Sequence, residues 1–334
     1  MQAKKGNIVN TKRVRLEEVI PLKTPFSICI DPSNKCNFRC NFCAIQKSND
    51  EVSFDKEIMP FDLYRKIIND LKDFDEKLKI LRLNGQGEPL LNRRFPEMVS
   101  YAKERDVADY IETITNGSCF NADLNQRLVD SGIDRIRISV EATDARGYFD
   151  NANIKINFER YVENIRDLYD RSRGRCEIYI KTVDAAVSTD EMREKFYSIF
   201  GDICDKIFVD KVIPLWSDFE ELNSFYSIEK DSGVHGQEIK DILICPYPFY
   251  SCIINPNGDV TACCADWKRK LIFGNAGLES LVDIWHGQKM RKFWTDLAAG
   301  KKNEYEMCRK CVLPSFDCND DIDEYGDLIL KHLM

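Results

Sequence analysis

Between about residues 26 and 214, short β-branched and apolar runs alternate with segments whose apolar residues recur at helical spacing. Residues 26–30, 78–83, 110–115, 135–140, 177–183 and 206–212 read as strands. Residues 63–74, 96–105, 124–131, 158–171 and 190–200 read as helices, the first with Leu63, Ile67, Ile68 and Leu71 on one stripe. This alternation predicts βαβ units on a parallel sheet, and six such units predict an α/β fold of the open, partial (β/α)6 TIM-type barrel. In such barrels the reactive groups gather at the carboxyl ends of the strands. Beyond residue 240 the alternation stops. Cys245 precedes an apparent hairpin over 250–264 with an Asn255-Pro-Asn-Gly258 turn, then a helix-rich stretch over 278–297. That part predicts a small C-terminal α+β domain.

Length and charge narrow the picture. A chain of 334 residues holds one large domain plus an appendage. The pattern divides it into an N-terminal extension (1–23), a barrel (24–220), an auxiliary domain (221–318) and an acidic C-terminal tail (319–334). No run approaches the ~18 apolar residues of a membrane span. The polar opening Met1-Gln-Ala-Lys-Lys-Gly-Asn7 carries no secretory segment, so a soluble cytoplasmic protein is expected. A net charge of -8 argues against a large nucleic-acid footprint, and the acidic stretch over 317–327 reads as a solvated tail, with partner binding as the alternative.

Fourteen cysteines are many for a cytoplasmic chain, and they cluster at 36–43 and 245–318. Cys36, Cys40 and Cys43 follow the first strand at C-x3-C-x2-C spacing, offering three thiolates to a cubane of four irons and leaving one iron open. Zinc fits poorly, because it wants four ligands in paired groups and the histidines are His235, His286 and His332. A disulfide cluster would need an oxidising compartment.

With Phe42 just before its last cysteine, this triplet resembles the radical S-adenosylmethionine superfamily. The resemblance implies that the open iron chelates the methionine amino and carboxylate groups and that an electron cleaves the sulfonium to a 5′-deoxyadenosyl radical. Asn84-Gly-Gln-Gly-Glu-Pro89 is similar to the superfamily's Gly-Gly-Glu segment, which implies that Gly85, Gly87 and Glu88 hold the cosubstrate amino group. Thr115-Asn116-Gly117 and Ser139-Val-Glu141 resemble its later strand ends, adding Asn116 to the pocket and making Ser139 and Glu141 ribose ligands. Lys181, on the fifth strand, either faces the cosubstrate carboxylate or is simply exposed.

The cysteines beyond residue 240 resemble the auxiliary domain of SPASM and twitch enzymes, with Cys245, Cys263, Cys308 and Cys311 as ligands of a second cluster that has no open iron. Full SPASM domains carry two auxiliary clusters. Here Cys318 is followed by an acidic tail, which favours the twitch form of single-auxiliary-cluster aminocyclitol dehydrogenases. Cys252, Cys264 and Cys318 are then left over, as small buried hydrophobes, or with one of them a hydrogen donor to a substrate radical or a substitute cluster ligand. The implied cofactors are two [4Fe-4S] clusters and S-adenosylmethionine, with flavodoxin or ferredoxin as electron donor.

The implied reaction is oxidation of a small polar substrate, a sugar or aminocyclitol. Sugar epimerisation through a cysteine donor and peptide maturation are the alternatives. The short segment before the first strand leaves no room for a precursor-binding domain and favours the small molecule. Asp218, Glu220 and Glu221 either meet a cationic amino sugar or form a solvated face. A non-catalytic iron–sulfur or zinc carrier is the contrasting class, and it would need no cosubstrate pocket.

Overall fold

The computed structural model describes residues 3–5, 14–43, 54–213, 232–234, 237–317 and 320–334. Its strands are β1 (Lys4–Lys5), β2 (Ser27–Ile30), β3 (Ile80–Leu83), β4 (Ile111–Thr115), β5 (Arg135–Ser139), β6 (Glu177–Val183), β7 (Lys206–Asp210), β8 (Ser251–Ile254), β9 (Asp259–Thr261) and β10 (Ile272–Asn275). Strands β2 to β7 lie side by side in chain order, all parallel, and form the expected partial barrel. Between them run helices Phe61–Asp70, Phe95–Arg105, Ala122–Asp130, Phe158–Ser172 and Asp190–Phe200. A further helix, Ala145–Ala152, escaped the sequence reading because its buried face is only Tyr148 and Ala152.

Strand side chains alternate between two faces. Leu81, Leu83, Ile111, Ile136, Ile138, Ile178 and Ile180 are fully buried and pack with Ile67, Met98, Leu128, Ile165 and Phe196 of the surrounding helices. The other face of the same strands is polar. Along one row of the sheet, Cys29, Arg82, Glu112, Arg135 and Glu177 are successive cross-strand partners, and in the next row Arg137 pairs with Tyr179. These residues line the concave side of the barrel.

The C-terminal hairpin extends that same sheet. Strand β8 adds in parallel beside β2, and β9 and β10 follow antiparallel, giving a continuous ten-stranded sheet. Helices Leu281–Trp285 and Gln288–Ala298 cover the hairpin. Trp285 donates to Leu22 O at 2.9 Å and Trp294 to Pro248 O at 2.7 Å, and their rings meet edge-on at 4.9 Å. Each buried indole thus finds a partner while adding apolar area.

The end of the chain corrects the expectation of a solvated acidic tail. Helix Gly326–Leu333 buries Ile329 and Leu333, and Ile322 is buried before it. Within the acidic stretch, the Asp323 carboxylate accepts from the amides of Leu243 at 2.9 Å and Ile244 at 2.7 Å.

Candidate active site at the strand ends

The loop after β2 carries Cys36, Cys40 and Cys43, all partly exposed. Its shape is imposed from outside. Arg39 N donates to Ala152 O at 2.9 Å, Asn41 N to Asn151 O at 2.8 Å, and Asn153 Nδ2 to Arg39 O at 2.9 Å. Phe38, between the first two cysteines, is buried edge-on against Tyr148 at 6.0 Å. Burial pushes the Cys36 thiol up to about 12 and raises Cys40 further, so ligation must expel their protons. Among the described residues no three His, Cys, Asp or Glu side chains converge on a single ion. A cluster suits that spacing, because its thiolates bind separate irons.

Glycines bring the end of β3 against this loop. A Cβ on Gly85 would stand 2.2 Å from Asp31 Cγ, and one on Gly87 would stand 2.3 Å from Ser33 O and Lys35 O. The close approach lets Glu88 N donate to Lys35 O at 2.7 Å and Gln86 N to Asp31 Oδ2 at 3.0 Å.

The Glu88 carboxylate is buried and already engaged. Its Oε1 accepts from Leu90 N at 3.0 Å and Thr115 Oγ1 at 2.6 Å, and its Oε2 accepts from Asn116 N at 2.7 Å. With about four acceptor sites on a carboxylate, one on Oε2 stays open. Burial raises Glu88 to about 7 against these three hydrogen bonds. Asn116 in turn donates from Nδ2 to Asn37 Oδ1 at 3.0 Å and approaches Cys36 Sγ at 3.9 Å. The ends of β3 and β4 therefore hold the three-cysteine loop as one unit.

Across the mouth, Glu141 follows β5. Its carboxylate is buried, accepts no hydrogen bond among the described residues, and is raised to about 7 by burial, opposed by the Lys181 charge. Lys181 is not simply exposed: Nζ lies 3.0 Å from Asp210 Oδ2. Ser139 and Lys181 are cross-strand partners on the concave face.

The second cysteine set comes from several segments. Cys245 precedes helix Tyr247–Tyr250, Cys263 follows β9, and Cys308 lies in helix Glu306–Arg309 with Cys311 just beyond. The Cys263 thiol is raised first by its hydrogen bond with Cys264 and by burial, with Cys245 and Cys311 adding to this, and Cys311 raises Cys308 after burial does. The structure thus sets Cys263 within electrostatic reach of Cys245 and Cys311, and Cys308 within reach of Cys311. The segment after Cys263 is tied to the barrel mouth: Gln86 Nε2 donates to Trp267 O at 3.1 Å, and Arg269 Nη2 donates to Gln86 Oε1 at 3.0 Å.

The spare cysteines separate. Cys264 is exposed beside Cys263, and its thiol is lowered first by a hydrogen bond with Cys263 and also by Arg82. Cys252, a candidate hydrogen donor, lies instead in an apolar pocket with Ile28, Phe74, Val260 and Trp285, away from both cysteine sets. Cys318 lies outside the described residues, as do Asp218, Glu220 and Glu221. Sequence reasoning missed Phe38, Asn41 and Asn153, which shape the loop, and Gln86 and Arg269, which join the two regions.

Residues 30–196 match the radical SAM superfamily model. The chain belongs to that superfamily. Residues 245–312 match the SPASM iron–sulfur cluster-binding domain, so the cofactors are [4Fe-4S] clusters and S-adenosylmethionine. The chain is 33% identical over 335 residues to a tungsten-containing aldehyde ferredoxin oxidoreductase cofactor-modifying protein of Pyrococcus furiosus, covering 89% of this chain and 91% of that protein. It is 22% identical over 299 residues to an S-adenosyl-L-methionine-dependent 2-deoxy-scyllo-inosamine dehydrogenase of Niallia circulans, covering 88% and 95%. A match to a probable GTP 3′,8-cyclase of Methanococcus maripaludis spans only 38% of that protein's length. Among solved structures, SuiB of Streptococcus suis bound to S-adenosylmethionine superposes with a TM-score of 0.62 at 15% identity, over 90% of this chain and 74% of that one. No helix among the described residues is long and apolar enough to cross a membrane.

Proposed function

We propose that this radical SAM enzyme is an oxidoreductase that dehydrogenates a small polar substrate held between the barrel mouth and the auxiliary cysteines. The observation that carries the reading is the join of the two regions: β8 pairs with β2, and Gln86 of the cosubstrate segment bonds to Trp267 and Arg269 beyond Cys263. An electron acceptor held by Cys245, Cys263, Cys308 and Cys311 thereby adjoins the reacting carbon.

Bound at Cys36, Cys40 and Cys43, the cluster with S-adenosylmethionine supplies one-electron reductive cleavage to a 5′-deoxyadenosyl radical. The chain's own residues bind and aim. The open site on Glu88 Oε2 receives the cosubstrate amino group, with the backbone at Gly85 and Gly87 close by. Asn116 fixes the loop, and Glu141 and Ser139 take the ribose hydroxyls. Lys181, held by Asp210, faces the same pocket. Enclosure between the two regions excludes water from the reacting carbon. Flavodoxin or ferredoxin supplies the first electron.

The 2-deoxy-scyllo-inosamine dehydrogenase supports an alcohol of sugar or aminocyclitol type as substrate. The cofactor-modifying relative, more similar in sequence, supports a second reading in which the small molecule is part of another enzyme's cofactor. SuiB has been solved with a precursor peptide, so peptides belong in the same screen.

The test incubates the reduced holoenzyme with carbon-deuterated candidates. Deuterium in 5′-deoxyadenosine, with product two electrons more oxidised and cosubstrate consumed in proportion, supports the reading. Product carrying one solvent deuterium at carbon replaces it with epimerisation.

A further inference from the structure

The concave face of the barrel carries charge that the proposed reaction does not use. Arg82 on β3, Glu112 on β4, and Arg135 and Arg137 on β5 sit together there. Glu112 is the hub. Its Oε1 accepts from Arg82 Nε at 2.8 Å and Arg137 Nη2 at 3.0 Å, and its Oε2 accepts from Arg135 Nη1 at 3.1 Å and Arg137 Nη2 at 2.9 Å. The Glu112 side chain is 1% exposed, whereas those of Arg82 and Arg137 are 35% and 21% exposed. A ligand reaching Glu112 therefore meets the guanidinium groups of Arg82 and Arg137 before its carboxylate, while the half-exposed Glu177 at the far end of the row is engaged by Arg135.

The charges do not balance. Arg82, Arg135 and Arg137 face Glu112 and Glu177, and Arg135 already bridges both carboxylates, with Glu177 Oε2 at 2.8 Å. Arg82 spends only its Nε and Arg137 only its Nη2 on these bonds. Both terminal nitrogens of Arg82 and Nη1 of Arg137 make no hydrogen bond among the described residues, and Arg137 Nε is buried without a partner. A buried donor left unpaired is destabilising, more so when charged, and a purely structural ion cluster gains nothing from it. A planar guanidinium fork matches the paired oxygens of a carboxylate or phosphate.

Position fits the same purpose. Arg137 precedes Ser139 by two residues on the concave face of β5, so it lies roughly 7 Å deeper than the Ser139–Lys181 row at ~3.3 Å per residue. A small molecule anchored there by one end presents its other end to the barrel mouth.

We infer that Arg82 and Arg137 seat an oxyanion of the substrate, a phosphate ester or carboxylate, so that the substrate is an anion. This deepens the reading above and rests on it for the reaction performed at the other end.

The test titrates the holoenzyme by calorimetry with inorganic phosphate, inorganic pyrophosphate and malonate, at low and high salt. At least one should bind, more weakly as salt screens it, and at least tenfold more weakly in the double variant Arg137→Gln with Glu112→Gln, which removes one charge of each sign. A preference for the phosphates or for malonate identifies the oxyanion. In the wild type, the same anion should slow phenylglyoxal labelling of Arg82 and Arg137, followed by mass spectrometry, so the answer does not depend on the variant folding. No slowing by any of the three anions overturns the inference, as does unchanged affinity in a folded double variant. Formation of 5′-deoxyadenosine by the wild type is measured apart and reports on the radical reading alone.

Discussion

Cys36, Cys40 and Cys43 share one loop whose backbone is pinned by Ala152 O and Asn151 O and backed by the Asn116–Glu88–Thr115 hydrogen bonds. Cys245, Cys263, Cys308 and Cys311 come instead from a pre-helical segment, a strand end and a short helix far apart in sequence. The first set is organised by the fold before any iron arrives. The second is gathered from segments separated by the hairpin and its covering helices, so a metal held there, as proposed, should contribute directly to folding. Under the proposed function, one region serves a cosubstrate that must come and go, the other a group that stays.

The largest effects come from removing each set in turn. Ala at Cys36, Cys40 and Cys43 together should abolish 5′-deoxyadenosine formation while leaving roughly half the iron, read by metal analysis and chromatography. Full loss of iron from this variant would mean that the two sets do not assemble independently. Ala at Cys308 and Cys311 should stop product yet permit some hydrogen abstraction, and should lower the unfolding midpoint more than the triple variant does. An equal or smaller drop would break the contrast between the two regions.

Next in size is the backbone contact that preorganises the first set. Gly87→Ala drives a Cβ to 2.3 Å from Ser33 O and Lys35 O, backbone atoms that cannot swing aside. Overpacking of this kind costs about 1–3 kcal/mol, and the shift should also loosen the Glu88 N to Lys35 O bond of 2.7 Å. Urea unfolding measures the first effect. Weakened cosubstrate binding by titration measures the second, and a variant with wild-type affinity would show that the glycine serves folding alone.

What the sequence made legible follows from where the chemistry is local. The C-x3-C-x2-C spacing, the Gly-Gln-Gly-Glu turn and the β-branched runs each state their role within a few residues, and the strand over 177–183 and the helix over 190–200 match to the residue. Non-local features were hidden. Nothing in Ser251–Ile254 says that it pairs in parallel with β2, because that partner lies more than two hundred residues away. The Arg-Ile-Arg-Ile-Ser pattern of β5 shows strand alternation but not that its polar side joins Glu112 and Arg82 inside the curve of the sheet. The acidic end was misjudged because its charges mask the apolar stripe of Ile329 and Leu333.

A smaller effect separates the two buried carboxylates at the strand ends, Glu88 and Glu141. Glu141 is raised from 4.5 to about 7 by burial, and no hydrogen bond among the described residues offsets it. Below the ordinary value both folded and unfolded chains hold the proton and burial costs nothing. As pH rises towards 7 the unfolded chain ionises first, so the folded state loses stability across that window. Glu141→Gln in the cluster-free protein should therefore be close to neutral near pH 4.5 and stabilising by roughly 1–3 kcal/mol near pH 8. Glu88→Gln should give less, because a glutamine amide cannot accept from all three of its donors. Urea unfolding at the two pH values reads both, and an equal gain at each pH would show that Glu141 is solvated.

The smallest effect is expected at Cys252, which sequence spacing offered as a hydrogen donor. On β8 its cross-strand partner is Ile28, and strand alternation turns both towards the covering helices, while Ser251 and Ile253 face the other way. The thiol is buried beside Trp285 and Val260. Desolvation raises its pKa to about 12, so it stays protonated and behaves as a small apolar group. Cys252→Ala should cost about 1 kcal/mol or less in stability and leave product formation within a few-fold, whereas loss of the auxiliary ligands stops it. A Cys252→Ala variant that still abstracts hydrogen but stalls before product would place a hydrogen donor on the core side of the sheet and overturn the separation of faces.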